Sequence, residues 1–190
     1  NRFRSNGGND TIDGGAGVDE VDYVGEENEG ALSGVNVNLG TGGATDAFRH
    51  TDTISSVENI RGTGNFGDTL TGDAGANRII GLGGNDTIDG GDGIDQVDYS
   101  QDSVFGGTAG VTVDLDAGTA TDGFGSTDSL TNIESVKGTE FGDDITGGLG
   151  ANTLTGGGGS DIFRYTATGD SATGTPDEIT DFIADNADPS

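Results

Sequence analysis

The chain has 190 residues, with 34 acidic side chains against 7 basic ones and a formal net charge of -27. That surplus excludes nucleic acid and anionic membrane surfaces as partners, since both need a basic patch, and it makes cations the expected counterpart. The absence of cysteine excludes disulfides and thiolate metal sites, and 39 glycines beside 29% hydrophobic residues argue against a conventional core.

The first residues, NRFRSNGG, lack the apolar stretch of a signal peptide, and no run approaches the ~20 apolar residues that span a bilayer, so no membrane insertion is expected. The chain opens in mid-repeat and reads as a piece of something longer. Residues 5–22 hold the first block of a nine-residue register. Its apolar positions are Ile12 and Val21; Asp10 and Asp19 stand two residues before them, and Gly8, Gly14, Gly15 and Gly17 fill the turns.

Segment 23–62 leaves the register. Val35, Val37 and Leu39 alternate as a half-buried strand does, and Ile60 stands before Leu70 at about the repeat spacing, so the segment is expected to feed strands into the same ladder. Asp46 and Asp52 lie in its Gly/Thr-rich turns. Both, with their counterparts Asp122 and Asp128, are candidate extra calcium ligands, because Asp52 and Asp128 precede Ile54 and Leu130 by the two-residue step of the repeats, while turn formers bonding their own backbone stay open as the alternative. His50, the single histidine, reads as a solvated loop residue.

The second block, 63–98, places Leu70, Ile79, Ile88 and Val97 behind Asp68, Asn77, Asp86 and Asp95, with Gly81, Gly83, Gly84, Gly90, Gly91 and Gly93 in the turns. The stretch GGNDTIDGGAGVDEVDY at 7–23 returns here as GGNDTIDGGDGIDQVDY at 83–99. Segment 99–137 then repeats the first joining segment at an offset of 76 residues, with Asp122 and Asp128 mirroring Asp46 and Asp52. The third block, 138–164, carries Ile145, Leu154 and Phe163 behind Asp143, Asn152 and Asp161, with Gly156, Gly157 and Gly159. Tyr23, Tyr99 and Tyr165 follow repeat ends and read as strand or edge residues. From 165 to 190 the period stops, and Ile179, Phe182 and Ile183 are expected to cap an otherwise raw sheet end. Asp188-Pro189 reads as a chance pair.

A period of nine divides into a six-residue glycine-rich turn and a three-residue strand whose middle side chain points inward. Two units make one coil of a parallel solenoid, so equivalent residues stack 18 apart and the apolar residues form two ladders. Stacked carboxylates one strand spacing apart repel, so a cation between turns is expected. Carboxylate and carbonyl oxygens are hard ligands that suit calcium; magnesium demands stricter geometry, and zinc or copper would want His or Cys.

The pattern GGxGxDxUx, in units such as GGAGVDEVD (14–22), GGDGIDQVD (90–98) and GGGGSDIFR (156–164), resembles the RTX (repeats-in-toxin) calcium-binding β-roll. The resemblance implies an all-β fold, a parallel β-roll with several bound calcium ions, spanning 1–164 with a C-terminal cap at 165–190. It also implies calcium held by the aspartates and turn glycines named above, with ligand pairs Asp68–Asp86, Asn77–Asp95, Asp143–Asp161 and Asn152–Asp170. Asn77 and Asn152 offer less charge, Phe66 and Phe141 replace turn glycines, and Asp10 needs a partner such as Glu26 or Glu27. The run FRYTATGDSATGTPDEITDF is similar to the segment after the repeats of serralysin-type, type I-exported proteins.

No His-Glu-x-x-His, nucleophile elbow or charge-relay set is present, and the carboxylates are already claimed by the register, so no catalysis is expected in these residues. The expected role is a calcium-dependent folding module of a secreted or cell-surface bacterial protein. Two alternatives stay open. One is a repeat unit of an adhesin, surface layer or extracellular fibre, self-associating end to end; the other is an accessory domain of a secreted protease, lipase or polysaccharide-modifying enzyme whose catalytic or adhesive domain lies elsewhere.

Overall fold

The computed structural model describes residues 1–165 and 176–181, the side chain of Glu27 excepted. Short strands β1 (Arg2–Arg4), just ahead of the first block, and β2 (Thr11–Asp13) and β3 (Glu20–Asp22) within it alternate with glycine turns. The first joining segment gives a 3-10 turn (Glu26–Glu29), β4 (Asn36–Asn38), β5 (Gly43–Thr45), β6 (Thr51–Ser55) and β7 (Asn59–Arg61). The second block gives β8 (Thr69–Thr71), β9 (Arg78–Ile80), β10 (Thr87–Asp89) and β11 (Gln96–Asp98). The second joining segment repeats the first as α1 (Asp102–Phe105), β12 (Thr112–Asp114), β13 (Thr119–Thr121), β14 (Thr127–Thr131) and β15 (Ser135–Lys137). Then come β16 (Asp144–Thr146), β17 (Thr153–Thr155), β18 (Ile162–Arg164) and β19 (Glu178–Ile179).

Outside the joining segments successive strands fall alternately into two sheets, as a nine-residue half-coil requires. One sheet has eight strands in the order β1-β3-β7-β9-β11-β15-β17-β19, and the other eleven in the order β18-β16-β12-β13-β14-β10-β8-β4-β5-β6-β2. Within the blocks pairing is parallel and in step: Leu70 faces Ile88, Ile79 faces Val97, and Ile145 faces Phe163. Each three-residue strand turns its middle side chain inward, so Val21, Val37, Ile60, Leu70, Ile79, Ile88, Val97, Val136, Ile145 and Leu154 are fully buried in one continuous core. Ile179 extends the eight-stranded ladder by pairing with Leu154. The other expected cap residues, Phe182 and Ile183, lie outside the described residues, as do Asp188 and Pro189.

The joining segments do feed both ladders, with one feature that the period alone does not predict. Ile60 and Val136 continue the eight-stranded sheet between block strands. In the other sheet each segment inserts an antiparallel meander, β4-β5-β6 and β12-β13-β14. Tight turns after Asn38 and Asp114, whose side chains accept the N–H of Thr41 and Ala117, reverse the chain before a nine-residue coil can close. The outer strands of each meander still pair in parallel with the blocks, Ile12 with Ile54 and Ile88 with Leu130.

The outer face of the eight-stranded sheet carries most of the basic residues. Arg61, 2% exposed, donates to both Asp22 oxygens at 2.9 and 2.6 Å and to Gln101 Oε1 at 2.8 Å, and its guanidinium lies 5.5 Å from the Phe105 ring centroid. Burial pushes the Asp22 carboxyl up, but Arg61 and Arg4 hold it below the usual range. Arg78 bridges Glu20 and Asp98 beside them.

Candidate metal centre

Two columns of polar side chains flank the apolar ladders. In each, an acidic side chain two residues before an inward apolar residue accepts the backbone N–H of its counterpart one coil back at most steps, while Asp68 and Asp143 take the N–H groups of Val35 and Val111 instead. On the eleven-stranded side Asp86 Oδ1 takes the Asp68 N–H at 2.8 Å, Asp128 Oδ1 takes the Asp86 N–H at 3.0 Å, and Asp161 Oδ1 takes the Asp143 N–H at 3.0 Å. On the eight-stranded side Asp95 Oδ1 takes the Asn77 N–H at 2.7 Å. Three of the ligand pairs read from the sequence are thus brought together by the stacking itself.

Elsewhere the columns take partners that the nine-residue count does not reach. Asp10 meets Asp52, whose Oδ1 accepts its N–H at 2.9 Å; of the two expected partners Glu26 instead accepts the Ala47 N–H, and the side chain of Glu27 lies outside the described residues. The reason is the meander, which lays β6 directly on β2. Asp19 meets Glu58 and Asp95 meets Glu134, each N–H to Oε2 at 2.9 Å. Both glutamates stand two residues before a ladder residue, Ile60 or Val136, and that step was the signal that could have found them. Asn152 gives its N–H to Asp177 Oδ1 at 2.9 Å, while Asp170 lies outside the described residues.

The two oxygens of each carboxylate differ. Oδ1 of Asp86 and of Asp95 accepts the N–H across the coil, and Oδ1 of Asp19 accepts a hydrogen bond from the ammonium of Asn1 at 2.6 Å. The second, Oδ2 of Asp10, Asp19, Asp86 and Asp95, is buried with no hydrogen-bond partner among the described residues. Burial first, then the charges of Asp68, Asp128 and Asp122, pushes Asp86 up to about 9. Burial raises Asp95 to about 6 against the pull of the Asn77 N–H, and Asp128 to about 7 against that of Asp86. Asp52 and Asp143 are raised by burial as well.

Other positions satisfy themselves. Where Phe66 and Phe141 replace glycine the turn still forms, and the Thr63 and Thr139 hydroxyls and N–H groups bind Asp68 and Asp143. The Asn77 amide donates to the Glu58 carbonyl at 2.7 Å and accepts the Asp73 N–H, and Asn152 makes the equivalent pair with Glu134 and Gly148. These amides bridge neighbouring coils by hydrogen bonds.

The glycines bring carbonyl oxygens to the columns. A Cβ at Gly91 or Gly157 would collide with the carbonyl of Asp73 or Thr139 one coil away, and at Gly81 or Gly156 with the Oδ2 atom of Asp86 or Asp161. Gly84, Gly93 and Gly159 are packed the same way against Phe66, Gly75 and Phe141, Gly14 and Gly90 against the carbonyls of Ser56 and Asn132, and Gly83 against the Gly64 carbonyl and the Phe124 ring. Gly8, Gly15 and Gly17 hold left-handed turn positions in the first block, with Gly8 beside Asp10. Among the described residues no three His, Cys, Asp or Glu side chains form a ready cage, so carbonyls must complete any ion site. Buried carboxylate oxygens lacking donors, close to stacked carbonyls and with no nitrogen or sulfur ligand at hand, fit a hard cation of flexible coordination.

The model of the RTX calcium-binding nonapeptide repeat matches this chain in four copies, over residues 1–23, 62–97 and 137–170. The two joining segments fall almost wholly outside those spans.

Proposed function

We propose, from the premise that this chain carries the repeats of the RTX calcium-binding family and is a calcium-binding β-roll module, that calcium entering between its coils is what folds it after export from the cell. The observation that carries this reading is the set of buried, partnerless oxygens on Asp10, Asp19, Asp86 and Asp95. A charge removed from water without a partner is strongly unfavourable, so the metal-free roll is held back by its own ladder.

The ligands we assign are those four aspartates with their column partners Asp52, Glu58, Asp128 and Glu134, completed by carbonyls of the glycine turns. Calcium supplies two positive charges and accepts six to eight oxygens in a flexible shell. The glycine turns let the carbonyls approach, and at Asp86 and Asp95 the N–H group across the coil fixes one carboxylate oxygen and leaves the other for the ion. Binding free energy then becomes folding free energy.

Extracellular calcium modules bind at about 10⁻⁴ to 10⁻³ M, which keeps such a chain unfolded in a calcium-poor cytoplasm and folded outside. This supports a secreted or cell-surface location within a larger bacterial protein. No helix among the described residues is long and apolar enough to cross a membrane. A far-UV circular dichroism titration from a chelated start tests the reading. A coil-to-β transition near millimolar calcium, absent with magnesium, is expected; a compact, cooperatively melting chain in chelator would overturn it.

A further inference from the structure

The 76-residue duplication allows one half of the molecule to be compared with the other, and they differ at one buried spot. In the first copy the charges of Glu26, Asp46 and Asp52 all act on Tyr23; in the second their equivalents are Asp102, Asp122 and Asp128, of which Asp128 and Asp102 act on Tyr99 and Asp122 on Asp102. All six carboxylates are at most 3% exposed. The framework is the same in both. Ala47 N–H donates to Glu26 Oε2 at 3.0 Å and Gly123 N–H to Asp102 Oδ2 at 2.9 Å. Asp46 Oδ1 accepts the N–H groups of Phe48 and His50, as Asp122 Oδ1 does those of Phe124 and Ser126.

The remaining oxygens part company. In the first copy Ser5 Oγ donates to Glu26 Oε1 at 3.3 Å, and His50 Nδ1 lies 3.0 Å from both Asp46 Oδ2 and the Gly8 nitrogen, covering the carboxylate as a donor in the tautomer that carries its proton there. In the second copy the matching atoms, Asp102 Oδ1 and Asp122 Oδ2, are buried with no partner among the described residues. Four substitutions account for this, and each makes the second copy smaller: Ser5 becomes Gly81, Glu26 becomes Asp102, Ala47 becomes Gly123, and His50 becomes Ser126. A Cβ at Gly123 would sit 2.9 Å from Asp102 Cβ and 3.1 Å from both Asp102 Oδ2 and the Ala109 carbonyl oxygen. The second copy has therefore shed the Ser5 hydroxyl and the His50 ring while keeping both charges; Ser126 and Gly125 still bond the Asp122 carboxyl but leave its Oδ2 bare.

We infer that Asp102 and Asp122 hold a divalent cation of the calcium class at a site outside the nonapeptide register, present in the second joining segment and absent from the first. Two bare carboxylate oxygens and the nearby Ala109 carbonyl are hard donors, and water completes a flexible shell. The first copy needs no ion because serine and imidazole already cover its oxygens. This site lies beyond the matched repeat spans and adds to the ladder ligands.

Calcium stoichiometry of the whole chain, by isothermal titration and native mass spectrometry, tests this. Asp102→Asn with Asp122→Asn should bind one ion fewer than the wild type, while the mirror variant Glu26→Gln with Asp46→Asn keeps the full number. Ser126→His, which keeps both carboxylates and restores the covering group of the first copy, should also lose one ion; it decides the matter should the double variant not fold in calcium. An unchanged ion count in a folded second-copy variant overturns the inference and leaves the ladder reading standing. A wild type that binds no calcium overturns both.

Discussion

Replacing Asp86 by Asn should stabilise the metal-free chain and weaken the calcium-loaded one. Asp86 is 2% exposed, its Oδ1 accepts the Asp68 N–H, and its Oδ2 has no partner among the described residues. Asparagine keeps the shape and the acceptor and removes the charge. With the carboxyl pushed up to about 9, the folded chain near neutral pH must carry a proton that the unfolded chain has lost. At ~1.4 kcal/mol per pH unit over the roughly 3.5 units between an ordinary aspartate and neutrality, that costs at most ~5 kcal/mol. Relaxation and water entry bring the expected gain in chelator to about 1–3 kcal/mol. In calcium the sign reverses. A site filled at 1,000 times its dissociation constant contributes ~4.1 kcal/mol, and the variant forfeits most of that. Urea titrations followed by circular dichroism, in chelator and in saturating calcium, read both signs. An Asp86→Asn chain less stable than wild type in chelator would refute the argument that its buried charge opposes folding; an unchanged calcium affinity would refute its role as a ligand.

The raised carboxyls make acid a partial substitute for calcium. Asp86 at about 9, Asp102, Asp128 and Glu26 at about 7 and Asp95 at about 6 all bind protons more tightly when folded, so their contribution is full below the ordinary carboxylate range and is lost as pH rises through those values. β-content in chelator should therefore grow as pH falls from about 9 to 5, and calcium uptake should release protons, which a pH-stat measures. Gly91→Ala should lower the calcium-loaded Tm more than Gly15→Ala, because both sites have positive φ but only Gly91 packs against a neighbouring carbonyl, that of Asp73. Differential scanning calorimetry of the two variants separates strain within a turn from collision between coils. Arg61→Met leaves the buried Asp22 with only the half-exposed Arg4 and should cost at most about 3–5 kcal/mol, the same with and without calcium, and Asp22→Leu added to it should recover most of the loss in urea titrations.

Much of the roll was legible because the nine-residue step fixes which side chain points inward. Leu70, Ile79, Ile88 and Val97 fell where the period placed them, and so did the aspartates two residues earlier. The meanders were not legible in the same way, because Val35, Val37 and Leu39 announce a strand without announcing its direction. That direction decides which coil follows which: β7 lies on β3 across 39 residues and β6 on β2 across 42. Glu58, Glu134 and the contact of Asp10 with Asp52 follow from those two steps. Asp102 and Glu26 lie off the register altogether and gain meaning only once the fold buries them beside Asp122 and Asp46. The Arg61–Asp22 pair is likewise invisible until the strand order is known.

The distribution of partnerless oxygens places the calcium-sensitive joints. Asp10, Asp19, Asp86 and Asp95 all pair forward with a residue of the following joining segment, namely Asp52, Glu58, Asp128 and Glu134. The coils that follow a joining segment begin instead with Asp68 or Asp143, covered by Thr63 or Thr139. Loop length does not explain why the metal is needed at the first kind of joint. Closing about 40 residues rather than 18 costs only ~0.7 kcal/mol, since each doubling adds about 0.6. Two acidic side chains meeting in a desolvated column cost several times more. In a solenoid each coil touches only its neighbours, so removing the ion opens the roll where that charge pair lies. Hydrogen exchange under graded chelation should lose protection first in β6, β7, β14 and β15, while β8 and β16, beside the threonine-covered turns, hold out longer. Uniform loss across all strands, or earliest loss at β8 and β16, would mean that charge at the junctions is not what calcium relieves.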